Sequence, residues 1–150
     1  MSVKNREFVL SVWRETGRND ALSLRQRAGG MDGTGIIAEE NKIPAWDAQK
    51  DYSGWPVGGP VSFGGNVFGL LQPHNAGYYS GDPATLPALW SPLHTKDPAR
   101  AKVWLSPNGT SGLYNTGECC VFDGAVWRCT ADNNPYSPGE YPDWWEVVDA

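Results

Sequence analysis

Two stretches of the chain alternate apolar residues with polar or small residues, and they share one spacing. Each stretch of ten residues, 61–70 and 120–129, has an apolar residue or cysteine at its first, third, eighth and tenth positions and a glycine at its fifth. Alternation on both sides of a glycine-containing turn is typical of a β-hairpin with one buried face. The repeated spacing therefore predicts two hairpins of one design.

Turn chemistry gives an expected register for these hairpins, with the loop length of the first hairpin left open. Gly64-Gly65 and Asp123-Gly124 suit two-residue type I′ turns, in which both central residues have positive φ. Pairing across Asp123-Gly124 places Cys120 opposite Trp127. The residues predicted to share a buried face are Cys120, Phe122, Ala125, Trp127 and Cys129 in the second hairpin, and Val61, Phe63, Phe68 and Leu70 in the first.

A proline signature, Pro-x-x-x-Pro-x-x-Trp, follows each hairpin at 83–90 and 138–145. Proline removes a backbone donor and restricts the preceding residue, so neither tail should be helical. We predict that each tail crosses its sheet in extended form and closes the unit with Trp90 or Trp145. The predicted fold class is mainly β with a helical N-terminal segment and two tandem small antiparallel β modules, each a hairpin plus a closing Pro-rich strand.

The chain before the first hairpin has helical periodicity. The periodicity covers residues 6–28, with an apolar stripe between Phe8 and Trp13 and an interruption at Thr16-Gly17. Asn19 or Asp20 can cap a second helical segment, which Gly29-Gly30 ends. Asp32 then resembles a fresh cap before a short helix. Residues 1–45 have too little apolar mass to fold alone, so we expect them to pack against an identical subunit or an assembly partner.

Domain boundaries follow from these elements. The prediction assigns 1–45 to a helical attachment or oligomerisation segment and 46–92 to the first β module. It assigns 93–103 to a linker of mixed charge and 104–150 to the second β module. Units of this size bury small cores, for which a high content of large aromatic residues compensates.

Charge and hydropathy exclude several classes of partner. A formal net charge of −5 argues against a nucleic-acid partner, which would require a basic surface. No run of eighteen apolar residues is present, which argues against membrane insertion. The N-terminus lacks the apolar region of a secretory signal, so synthesis in a host cytoplasm is expected.

The sequence contains little evidence for a metal site or a catalytic site. Three cysteines, Cys119, Cys120 and Cys129, are an odd number and are expected to be thiols, with Cys120 and Cys129 acting as small core hydrophobes. Their spacing does not suit a zinc site. His74 is predicted to be a hydrogen-bonded turn residue. We expect no metal, no cofactor and no catalytic residue.

Three carboxylates lie in one region of the sequence, and a glycosidase needs a pair of them. They are Asp132, Glu140 and Asp143. Such a pair must be held about 5–10 Å apart in a cleft, and a sheet this small offers poor walls for one. The sequence therefore predicts a protein that is not an enzyme.

Aromatic residues exceed what two small cores can bury. The chain has eight Trp, six Tyr and four Phe. Trp46, Trp90 and Trp145 occupy repeated positions and are predicted to cover the core. The residues predicted to bind ligand, or alternatively to form a lid, lie outside that framework and are Tyr78, Tyr79, Tyr136, Tyr141 and Trp144. Tyr and Trp rings suit the CH faces and hydroxyls of a sugar.

A family resemblance rests on Leu71-Gln72-Pro73-His74, on the closing Pro83-x-x-x-Pro87-Ala-Leu-Trp90, and on the opening Trp46, Tyr52 and Gly54. In these residues the chain resembles the chitin-binding carbohydrate-binding modules of families 5 and 12, and more loosely so in 104–147. Similar modules occur in short bacteriophage tail proteins. The segment from Leu22 to Trp46 also looks like the N-terminal part of such phage proteins.

The resemblance implies a compact three-stranded aromatic module that binds polysaccharide without cleaving it. In that family a surface tryptophan two residues before the closing signature stacks on sugar, and the corresponding positions here are Gly81 and Tyr136. The first copy departs from the pattern, so its binding role would pass to Tyr78 or Tyr79. The second copy lacks the Gln-Pro-His stretch.

The expected function is a non-catalytic glycan-binding component of a bacteriophage-like virion, tail-associated and used for recognition of the host surface. Its expected partners are a cell-surface polysaccharide, other virion proteins and identical subunits in a homo-oligomer. The alternative is a structural or assembly virion protein whose exposed aromatic residues form subunit contacts. The two functions make different predictions about the exposed aromatic rings: glycan binding requires them to be accessible to a ligand, whereas the structural alternative buries them between subunits.

Overall fold

The computed structural model describes residues 19–148, which form two β-sheets preceded by short helices. Of these residues, 22% are helical and 27% lie in strands. The prediction of a mainly β protein is therefore corrected to a mixed fold. The helical content is higher than expected because single 3-10 turns recur between the strands, for example at Ala76–Tyr78 and Pro98–Arg100.

The first sheet has three antiparallel strands: β1 (Pro60–Phe63), β2 (Asn66–Leu70) and β3 (Trp90–Leu93), in the order β1-β2-β3. Gly64 and Gly65 form the predicted turn with φ values of 57° and 82°. Val61 pairs with Phe68, which confirms the register predicted from the alternation.

The second sheet has four strands: β4 (Lys102–Val103), β5 (Cys119–Phe122), β6 (Ala125–Cys129) and β7 (Trp145–Val147). Cys120 pairs with Trp127 as predicted, and Asp123 and Gly124 both have positive φ. Strand β4 pairs in parallel with β5 and was not predicted. It lies within the predicted linker 93–103, so part of that segment belongs to the sheet.

The proline-containing tails differ from the prediction of an extended crossing. Residues 83–89 form turns, and Pro142–Trp144 is one turn of 3-10 helix. Only the final tryptophan of each signature enters a strand, where Trp90 pairs with Leu70 and Trp145 with Cys129. The physical reason is a local hydrogen-bonded cap ahead of each tail, which folds the chain back before it extends.

The helices come before both sheets. Helix α1 covers 19–27 of the described chain, a 3-10 turn follows at Ala28–Gly30, and helix α2 spans Gly33–Ile37. Asp32 caps α2 by accepting a hydrogen bond of 2.8 Å from the Gly35 N–H, as predicted. The predicted helical stretch over 6–18 lies outside the described residues.

The described part of the N-terminal segment packs on its own chain. Ala28, Ile36 and Ile37 form a cluster with Val67, which lies on the face of β2 opposite to Phe68 because neighbouring strand residues point to opposite sides. Burial on both faces explains the run of buried residues in β2. These residues pack on the first sheet of their own chain, and the expected contact with an identical subunit or an assembly partner stays a prediction.

Each sheet covers an aromatic core. The first core contains Tyr52, Trp55, Val61, Ala76 and Leu89 together with residues of β2 and β3. The second contains Tyr114, Cys120, Cys129 and Trp145, with Trp104 and Trp127 packed against it. Trp90 and Trp145 are buried, as predicted for residues that cover the core.

Equivalent backbone contacts occur at the opening of both units. The Trp46 N–H donates to the Ser62 carbonyl at 2.8 Å, and the Trp104 N–H donates to the Val121 carbonyl at 2.9 Å. Both indole rings then meet a phenylalanine edge-on, with centroids 5.5 Å and 6.5 Å apart. The two tryptophans thus have the same role in their respective sheets.

Each unit contains a buried tyrosine, and the two tyrosines make equivalent contacts. The Tyr52 hydroxyl accepts the Asp47 N–H at 2.9 Å, and the Tyr114 hydroxyl accepts the Leu105 N–H at 3.3 Å. Each ring meets the closing tryptophan of its own unit, with centroids 5.1 Å and 5.3 Å apart. These contacts extend the sequence repeat to the packing of the cores.

Candidate ligand-binding surface

Three of the predicted binding residues lie together in the segment that connects β6 to β7 of the second sheet. The ring centroids of Tyr136 and Tyr141 are 5.6 Å apart, those of Tyr136 and Trp144 are 5.9 Å apart, and those of Tyr141 and Trp144 are 5.0 Å apart. We call these three residues the aromatic cluster. Tyr136 and Tyr141 remain 42% and 40% exposed, and Trp144 is half-buried. The cluster therefore presents aromatic surface to solvent.

A reciprocally hydrogen-bonded turn positions the aromatic cluster. The Ser137 N–H donates to the Glu140 carboxylate, and the Glu140 N–H donates to the Ser137 hydroxyl, both at 3.1 Å. This exchange has the pattern of a capping box. The Tyr141 N–H then donates to the Ser137 carbonyl at 3.0 Å. The turn brings Tyr141 back towards Tyr136, a contact that an extended tail could not make.

Ring orientation decides what this surface can contact. The interplanar angles within the aromatic cluster are 36°, 59° and 76°, so the rings do not form one flat platform. Rings at these distances also pack against one another in the tilted and edge-on arrangements that aromatic pairs favour. The exposed patch is therefore small and uneven. A ligand the size of one sugar ring fits such a patch better than a ligand with a broad flat face does.

Tyr78 and Tyr79 lie elsewhere, beside the first sheet. Tyr78 ends a 3-10 turn and is 85% exposed, and Tyr79 is 47% exposed. The Tyr79 ring meets the His74 ring edge-on at 5.4 Å. The structure therefore divides the five predicted residues into the aromatic cluster and a separate tyrosine pair.

The first unit has no counterpart of the aromatic cluster in its equivalent turn. Asp82 and Thr85 exchange hydrogen bonds of 2.9 Å and 3.1 Å there, as Ser137 and Glu140 do in the second unit. The positions that correspond to Tyr141 and Trp144 are Leu86 and Leu89, which pack with the first core. The capped turn thus carries leucines of the core in the first unit and the residues of the aromatic cluster in the second.

Histidine and cysteine side chains belong to the interior. His74 is buried, and its Nδ1 lies 2.8 Å from the Gln72 carbonyl oxygen, which confirms a hydrogen-bonded turn residue. All three cysteines are free and buried. Burial raises the pKa of the Cys120 thiol to about 12. This thiol therefore acts as a core residue and not as a nucleophile.

A polar cavity of about 270 Å³ lies where the two sheets meet, lined in part by His94, Asn115 and Glu118. The His94 ring stacks on Tyr114 with centroids 3.7 Å apart, and its Nε2–H donates to the Gly112 carbonyl at 2.8 Å. Burial lowers the pKa of His94 to about 4 and raises that of Glu118.

Sequence reasoning missed this junction. His94 was assigned to the predicted linker, and Glu118 precedes the alternating stretch. No periodicity marks a contact between two separate sheets, so no local signal could have found it.

Other kinds of site receive no support from the described residues. Within 19–148, no group of His, Cys, Asp and Glu side chains is arranged to hold a metal ion. The helices of the same range are too short to cross a bilayer.

Comparison of the sequence with protein-family models gave no match, and comparison with curated protein sequences gave no significant match.

Proposed function

We propose that this protein is a non-catalytic glycan-binding component of a bacteriophage-like virion, tail-associated and used to recognise the host surface. The observation that carries the proposal is the aromatic cluster, in which Tyr136, Tyr141 and Trp144 gather at one exposed place. Large rings with polar edges are the side chains that sugar faces favour. Two tyrosine hydroxyls and one indole N–H supply the polar handles.

We further propose that the two sheets are tandem modules of one design, resembling carbohydrate-binding modules of families 5 and 12. Support comes from the equivalent Trp46 and Trp104 contacts, the equivalent Tyr52 and Tyr114 contacts, and the matched capped turns. In this proposal the first module carries its exposed rings at Tyr78 and Tyr79, and the second carries the aromatic cluster. Residues 1–45 connect the modules to other virion proteins or to identical subunits.

A binding experiment tests the proposal. We expect the wild-type chain to be retained by a cell-surface polysaccharide, and Tyr136→Ala and Tyr141→Ala to weaken retention about thirtyfold each. That factor corresponds to about 2 kcal/mol, the scale on which truncated aromatic anchors act. The double variant Tyr78→Ala/Tyr79→Ala tests the tyrosine pair independently.

The matched control is Val103→Ala, which removes an exposed apolar side chain outside both aromatic sites. Identical retention of the wild type, the cluster variants and this control would remove the glycan-binding proposal.

One observation favours the alternative of a structural virion protein. An open groove of about 470 Å³ runs between the N-terminal segment and the first sheet, and exposed apolar residues such as Val57 and Leu71 line it. Exposed apolar surface of this kind is typical of protein contacts. The alternative predicts a stable oligomer in which Tyr78 and the aromatic cluster are protected from soluble fluorescence quenchers. Glycan binding predicts rings that a quencher can reach.

A further inference from the structure

The formal charge of the chain is distributed unevenly. Residues 104–150 contain seven acidic side chains and one basic side chain, a charge of −6, whereas residues 1–103 contain ten acidic and eleven basic side chains, a charge of +1. The net charge of −5 therefore arises entirely from residues 104–150, the C-terminal third of the chain, which carries the aromatic cluster. A field of one sign over such a surface attracts ligands of the opposite sign.

Two of the acidic residues directly precede ring residues of the aromatic cluster in the sequence. Glu140 precedes Tyr141, Asp143 precedes Trp144, and both carboxylates belong to exposed residues. Residues 129–150 contain five acidic residues and neither lysine nor arginine. Arg128, the one basic residue after Lys102, lies 3.5 Å from the Glu146 carboxylate on the neighbouring strand. The sequence around the aromatic cluster thus carries charge of one sign.

We propose that the aromatic cluster selects glycans that carry unsubstituted amino groups; this inference rests on the proposed glycan-binding function. A protonated sugar amine is attracted both by the flanking carboxylates and by the negative faces of the aromatic rings. Glycans with phosphate or carboxylate groups are repelled by the same residues. Neutral sugars gain the stacking contacts and the hydrogen bonds of the ring hydroxyls and the indole N–H, but no attraction between charges. The charge pattern therefore predicts that binding affinity is highest for amino glycans, lower for neutral glycans and lowest for anionic glycans.

Two hexasaccharides with one backbone test this ranking: the β-1,4-linked hexamer of glucosamine and the corresponding hexamer of N-acetylglucosamine. Isothermal titration at slightly acidic pH and low salt gives both dissociation constants for the wild type. We expect tighter binding of the glucosamine hexamer. Asp143→Asn should weaken that binding about 1.5- to 5-fold, the range of one exposed ion pair, and should leave the N-acetylated hexamer unaffected. Raising the salt concentration should reduce the difference between the hexamers.

Two variants separate specific binding from general attraction. Asp123→Asn removes the same charge at the tip of the β5–β6 hairpin and keeps a residue that tolerates the positive φ of this position, so both affinities should stay unchanged. Tyr141→Ala keeps every charge and should weaken binding of both hexamers.

Each remaining outcome contradicts a defined claim. Equal affinity of the wild type for the two hexamers would overturn the charge inference and leave glycan binding intact. Binding of neither hexamer would overturn both. Undiminished glucosamine binding by Tyr141→Ala would show attraction without the rings and would overturn the assignment of selectivity to the aromatic cluster.

Discussion

Acid sensitivity of folding above about pH 5 should originate at His94, which lies where the two sheets meet. Its ring is buried, stacks on Tyr114, and donates its Nε2–H to the Gly112 carbonyl. Burial lowers the pKa of His94 from 6.5 to about 4. The unfolded chain therefore binds a proton at this histidine at higher pH than the folded chain does. The stability contributed by neutral His94 is complete above pH 6.5 and is lost as the pH falls from 6.5 to about 4.

The size of the effect follows from the two pKa values. One pKa unit corresponds to about 1.4 kcal/mol, so the full shift represents about 3 kcal/mol, of which about 2 kcal/mol should be lost by about pH 5. Glu118 acts in the opposite direction, because burial raises its pKa and the folded state gains stability when that carboxylate is protonated. The net loss of the wild type is therefore smaller than the His94 contribution alone.

Comparison of wild type with His94→Gln isolates this contribution. Glutamine can keep an N–H donor and does not titrate, so the variant should start less stable and lose about 2 kcal/mol less than the wild type between about pH 7.5 and pH 5. Urea unfolding monitored by tryptophan fluorescence measures both free energies. If wild type and variant lose equal amounts, acid sensitivity does not originate at this histidine.

Three further perturbations test other parts of the account. Cys120 should resist a thiol reagent in the native state and react on unfolding, because burial raises its pKa to about 12; rapid labelling of the folded chain would contradict its placement in the core. Ser137→Ala should cost about 1 kcal/mol in urea unfolding, since it removes the side-chain cap of the turn that carries the aromatic cluster. Gly112→Ala should destabilise strongly, because Gly112 has a φ of 82° and an added Cβ would lie 3.0 Å from the Pro92 side chain. Gly54→Ala, where an added Cβ meets no atom within 4 Å, is its control, and equal melting temperatures of the two variants would refute the strain argument.

Local signals in the sequence predicted the parts of the fold that depend on local physics. Hairpin register follows from alternation and from two-residue turns, so the pairing of Cys120 with Trp127 was correct. The Asp32 cap was also correct, because its hydrogen bond joins residues three positions apart. Both features depend on neighbouring residues only, which a single sequence contains in full.

Features that join distant residues could not be predicted in this way. The parallel pairing of β4 with β5 joins Lys102 to Cys120, and two residues of strand carry no recognisable period. The proline spacing suggested an extended tail, but the capping exchange between Ser137 and Glu140 produces a turn. Sequence reasoning named the five candidate aromatic residues and could not foresee that three of them meet.

The central claim is that the rings of the aromatic cluster contact sugar, and the indole N–H signal of Trp144 reports on it most directly. In a titration followed by ¹⁵N–¹H correlation spectra, with the signal assigned by Trp144→Phe, we predict that the glucosamine hexamer shifts the Trp144 indole resonance progressively. The buried Trp90 indole should stay in place. A Trp144 resonance that remains unmoved while the hexamer binds, or a shift that persists in Tyr136→Ala/Tyr141→Ala, would contradict the account.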